Sequence, residues 1–186
     1  MKVVYEYSHL GGSEILKVRF PEIEKDIKEI ISEVKGKRIK ESKEKTMKGK
    51  MLYSPKDMNQ QFKEAFESRG YRELKDIYTI TLPNSDIKIS NVFKQIDFVK
   101  DKVLIEVQFG KYAFMFYDLA KFQYFFNENK AEVGIEIVPC HALHEQMSDV
   151  DGSFLRRAAY IRYRKAKETL SGRARQGYTY RHRLKP

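Results

Sequence analysis

The chain predicts an α/β protein, a mixed central sheet flanked by helices, and three features carry that prediction. Apolar residues recur at helical spacing early in the chain, at Ile23, Ile27, Ile30, Ile31 and Val34 and again at Met58, Phe62, Ala65 and Phe66. A stretch with period two, Val103 to Phe109, follows in the middle. An aromatic helical stretch and a further β-branched run then close the pattern, an order of helices, hairpin, helix and strand that suits a layered α/β sandwich. With 186 residues, 41% of them hydrophobic, one core and one domain are the default.

Each element has its local cause. Met1 to Tyr7 is a short apolar run, and Ser8 to Ser13 with its paired glycines reads as a turn and helix cap. Pro21 suits the first turn of a helix that Gly36 stops. Lys37 to Lys50 is densely charged and reads as an exposed loop. Ser54 is a helix N-cap with Pro55 at the first helical position, and that helix ends before Gly70. Ile77 to Leu82 is a strand by composition, closed by Pro83-Asn84-Ser85-Asp86. Phe114 to Asn129 holds Phe116, Leu119, Ala120, Phe122, Tyr124 and Phe126, the makings of a buried or a dimer-facing helix. Val133 to Val138 is the last strand, ended by Pro139.

The chemistry starts between the strands. Glu106 and Gln108 interrupt an apolar strand at alternate positions, so both point to one face. Asp97 ends the apolar run before it, and Val99-Lys100-Asp101-Lys102 reads as a hairpin turn that brings Asp97 alongside, three oxygen-bearing side chains at one sheet edge. Such a set suits a hard divalent cation such as Mg2+. A hairpin with acidic residues is also a common solvated face; against that reading, a carboxylate inside an apolar strand is costly unless paired or metal-bound.

The string Asp97, eight residues, Glu106, one residue, Gln108, set within Asp97-Phe98-Val99-Lys100-Asp101 and Ile105-Glu106-Val107-Gln108-Phe109-Gly110-Lys111-Tyr112, resembles the PD-(D/E)xK motif of type II restriction endonucleases of the BglII and BstYI kind, the BstYI branch above all. The resemblance takes in Tyr7-Ser8-His9-Leu10, Glu41-Ser42-Lys43-Glu44-Lys45, Leu52-Tyr53-Ser54-Pro55, Asn59 and Phe62-Lys63, and fades after about residue 148. It implies a restriction-endonuclease-like fold and a homodimer that hydrolyses double-stranded DNA at a palindromic GATC-centred site with Mg2+. Asp97 and the backbone carbonyl of Val107 would be the protein ligands, and Glu106 would position the attacking water. Gln108 can orient water but cannot act as a base, so deprotonation falls to the metal or a substrate phosphate. Asn59 would support the site, Lys43 and Lys45 would meet phosphate, and Lys111 would read guanine in the major groove. Each of these four also reads as an ordinary surface residue.

The net charge of +10 points to nucleic acid, yet all of the excess lies in the last 34 residues. Residues 153–186 hold eleven Lys or Arg and one acid, Glu168, which leaves 25 basic against 25 acidic residues in 1–152. The chain thus divides into an endonuclease core, 1–152, and a basic C-terminal segment, 153–186. That segment reads either as an arm on the DNA backbone or as the product of a shifted reading frame: permissible codons of Ser153 to Ile161 and of Gln176 to Arg183, read one base later, allow strings like the family's C-terminus. The alternative to an enzyme is a non-catalytic nucleic-acid binder or an inactive remnant. No secretory signal or membrane-spanning run is evident, and a single cysteine, Cys140, excludes an internal disulfide, so a reducing cytoplasm is expected. Cys140, His141 and His144 read as incidental neighbours rather than as a metal set.

Overall fold

The computed structural model describes residues 1–147 apart from 44, 46, 47, 84, 85 and 110–113. Among the described residues, two sheets and five helices are formed by elements in the order α1 (Gly12–Arg19), α2 (Pro21–Glu33), β1 (Arg38–Glu41), β2 (Met51–Tyr53), α3 (Pro55–Ser68), β3 (Arg72–Thr81), β4 (Lys88–Lys100), β5 (Val103–Val107), α4 (Met115–Asn127), β6 (Val133–Ile137) and α5 (His141–His144). The main sheet runs β3-β4-β5-β6. Its first three strands are antiparallel, and β6 joins β5 in parallel after a crossover through α4, which places that helix on one face. The expected mixed α/β architecture is therefore present.

The two faces are filled by different helices. Phe98, Val103, Ile105, Val107 and Phe109 pack with Ile23, Ile27 and Ile30 of α2 and Met58, Phe62 and Phe66 of α3. The opposite face, with Ile96 and Leu104, packs on Phe125 of α4 and on Ala131. Strand parity thus sends odd residues of β5 to the larger core and even ones, Leu104 and Glu106, toward α4. Ser54 caps α3 as its sequence promises, its hydroxyl accepting from the Asp57 N–H at 3.2 Å.

Several expectations need correcting. The charged stretch after Gly36 is not all loop: Arg38–Glu41 pairs antiparallel with Met51–Tyr53, and the Arg38 guanidinium lies over the Tyr53 ring, 4.5 Å from its centroid. Charge does not prevent a strand whose backbone bonds are met by a partner. Helix α1 had no signal beyond its preceding cap. Asp97 does not end a short run but lies inside the thirteen-residue β4, and Val99 and Lys100 still belong to that strand. The turn is just Asp101-Lys102, both with positive φ (48° and 63°), closed by the Lys100–Val103 pair, the geometry whose twist matches a two-residue hairpin.

Candidate active site

A β-bulge creates the site. On β3, Arg72 and Leu74 are two residues apart, but their partners on β4, Val99 and Ile96, are three apart. The extra residue bends β4 and re-aims the side chains at Asp97 and Phe98. Beyond the Phe98–Ile105 pair the β4–β5 ladder stops, and the Asp97 carboxylate takes over, its Oδ2 accepting from the Val107 N–H at 3.2 Å. The three residues therefore gather where two internal strands part, not at a lateral sheet edge.

Glu106 stands beside Asp97 and is 4% exposed. Burial, first, and the nearby Asp97 charge push its carboxyl up to about 8, and its protonated form can donate to Asp97. Relief comes from α4. The Lys121 ammonium donates to Glu106 Oε1 and pairs with Asp118 Oδ1 at 2.8 Å. The other oxygen of Asp118, Oδ2, accepts from the Gln108 side-chain amide at 3.0 Å. The two partners of the short ion pair pull in opposite senses, since burial and Asp97 resist charge on Glu106 while Asp118 and Glu106 hold Lys121 above its ordinary value against burial. The lysine charge is the firmer of the two because two acceptors share it. Glu136 on β6, paired in register with Glu106, adds a further carboxyl, pushed up to about 7 by burial and then by Asp118, its buried Oε1 without a hydrogen-bond partner among the described residues.

Asp97 and Glu106 stand side by side, and Glu106 and Gln108 are joined through Lys121 and Asp118, two residues the sequence did not single out. Asp118 and Lys121 are buried on α4 while Phe116 is 82% exposed, and Leu119 and Phe126 also face outward. Phe125 still packs inward, so the helix has both a core and an outward aromatic side; the signal for its buried polar pair was a lone Asp–Lys at i, i+3 in an otherwise aromatic helix. Of the other expected residues, Asn59 is exposed on α3, and Lys43 and Lys45 are exposed between β1 and β2. Lys111 lies outside the described residues. Among the described residues no group of three or more His, Cys, Asp and Glu is arranged to hold a metal ion, Cys140 with His141 and His144 included.

The profile of the restriction endonuclease BglII/BglIII family matches residues 4–179. The chain belongs to the BglII/BglIII family of restriction endonucleases. The match runs past Ser153 into the basic segment, farther than residue-by-residue resemblance reaches. No curated protein matches the chain. Membership gives the carboxylates a context: a restriction endonuclease of the BglII/BglIII family acts on DNA, and such enzymes generally use a divalent metal. The donor set fits one. Asp97 and Glu106 offer hard oxygen atoms, and their mutual repulsion, which raises Glu106, is what an added cation relieves. Among the described residues no helix is long and apolar enough to cross a membrane.

Proposed function

We propose that the chain is a type II site-specific deoxyribonuclease of the PD-(D/E)xK superfamily that cuts double-stranded DNA at a palindromic GATC-centred site as a Mg2+-dependent homodimer. The observation that carries this reading is the convergence of Asp97, Glu106 and Gln108 where β4 and β5 part. Asp97 and the Val107 carbonyl would hold Mg2+, which when bound supplies acidification of water and charge neutralisation at phosphorus. Glu106 accepts a hydrogen bond from the attacking water and holds it in line with the scissile bond. Lys121 keeps Glu106 oriented and offsets the crowding of negative charge. Gln108 orients the same water and does not take its proton.

Lys43 and Lys45, exposed, suit phosphate contacts; Asn59, on α3, is assigned to support of the site and Lys111 to guanine. The dimer reading is supported by the outward stripe of Phe116, Leu119 and Phe126 on α4, an apolar face that a second copy related by a two-fold axis would cover, matching the symmetry of palindromic DNA.

The test is cleavage of unmethylated plasmid DNA by the full chain with Mg2+, beside Asp97→Ala. Discrete fragments ending at GATC-centred sites, absent with Asp97→Ala, are expected. Intact plasmid from a folded protein, or equal cutting by the variant, would overturn the assignment.

A further inference from the structure

Asp118 makes the site's chemistry directional. The residue is 1% exposed, and both carboxylate oxygens are used, Oδ1 by Lys121 at 2.8 Å and Oδ2 by Gln108 at 3.0 Å. A carboxylate that is ion-paired to an ammonium can only accept hydrogen bonds. The Gln108 amide must therefore turn its NH2 group to Asp118, and its planar geometry puts the carbonyl oxygen on the other side.

We infer that Asp118 is a positioning residue whose role is to fix the sense of the Gln108 amide: it takes one N–H of the amide, holds the NH2 end toward α4 and so turns Oε1 toward the reacting centre. This inference rests on the nuclease reading and deepens it. A free glutamine would present its amide either way round, donating to water in one orientation and accepting in the other. Held by Asp118, it turns its carbonyl outward, and so offers an oxygen to a water hydrogen or to a hard cation, in company with the oxygens of Asp97 and Glu106. Lys121 enforces the arrangement twice, pairing with Asp118 Oδ1 on one side and holding Glu106 on the other. A short turn of α4 thus sets the polarity of a catalytic strand it does not belong to.

Two measurements on the full chain test this. In a 15N-labelled sample the Gln108 side-chain amide, assigned by its loss in Gln108→Met, is expected to exchange with solvent about tenfold more slowly than the amides of exposed glutamines and to lose that protection in Asp118→Ala, with the backbone spectrum otherwise kept. In cleavage assays Gln108→Glu sets two carboxylates against each other and is expected to lower kcat about 100-fold with little change in KM. Adding Asp118→Asn rebuilds the pair with donor and acceptor exchanged while an oxygen still faces outward, and about tenfold of the loss should return. A merely structural Asp118 would give no such rescue. An unprotected Gln108 amide in the parent protein, protection that survives Asp118→Ala, or a folded double variant no faster than Gln108→Glu would overturn the inference. Failure of the nuclease reading looks different: the parent chain would not cut, or Asp97→Ala would cut equally, while the amide exchange would still decide the orientation of Gln108.

Discussion

At Glu106 a buried carboxyl, a neighbouring carboxylate and one lysine meet, and each leaves a measurable trace. Its carboxyl is held at about 8 against an ordinary 4.5, so between these values the folded chain keeps a proton that the unfolded chain has released. Stability from this group is fully present below the lower value and is lost as pH rises through the upper one; Glu136, raised to about 7, acts in the same sense. The melting temperature of metal-free protein should fall as pH rises from about 5 to about 8.5, and fall less in Glu106→Gln, as scanning calorimetry would record. Mg2+ should raise it more at the alkaline end, where Glu106 ionises most readily. Lys121→Met removes the cation that Glu106 and Asp118 share. It should cost about 3 kcal/mol in denaturant unfolding, and the double variant with Glu106→Gln should lose less than the sum of the two single losses.

Among the elements, α4 is decided by its fit on the sheet. Gly134 of β6 lies under it, and a Cβ built there would stand 2.6 Å from the Phe122 ring. Gly134→Ala should therefore lift the helix, destabilise the fold by about 1–3 kcal/mol and loosen Asp118 and Lys121 together. Cleavage should then fall more than stability alone explains, which comparison of kcat with the unfolding midpoint would show. The β4–β5 turn offers the opposite change. Asp101 and Lys102 occupy positive φ without being glycine or asparagine, so Lys102→Gly should stabilise the protein by about 0.5–1 kcal/mol, read by chemical unfolding.

For the whole molecule the predictions concern self-association and charge. Phe116→Lys with Phe126→Lys places two cations on the outward stripe of α4 and should turn a dimer into a monomer in sedimentation equilibrium, leaving the fold intact because both positions are exposed. The charge excess lies in residues 153–186, so replacing Arg156, Arg157, Arg162 and Arg164 by Gln should flatten the salt dependence of non-specific DNA binding by about 0.9 in log–log slope for each phosphate that is no longer neutralised.

Amino-acid order alone determined the pieces that depend on neighbours in the chain. The periods of α2 and α3, the Ser54-Pro55 cap, the alternation that aims Glu106 and Gln108 to one side and the long string around Asp97 were all legible, because periodicity and capping are local. Tertiary structure decided what depends on registration between distant segments. The bulge on β4 exists only relative to β3, the pairing of the charged Arg38–Glu41 stretch needs β2, and the burial of Asp118 and Lys121 needs Glu106 and Gln108 opposite. Composition left α4 open as a buried or a dimer-facing helix; it keeps Phe125 in the core, turns Phe116, Leu119 and Phe126 outward and buries an Asp–Lys pair, because Glu106 on β5 is shut from water and, with Gln108 just beyond that strand, takes its partners from the helix.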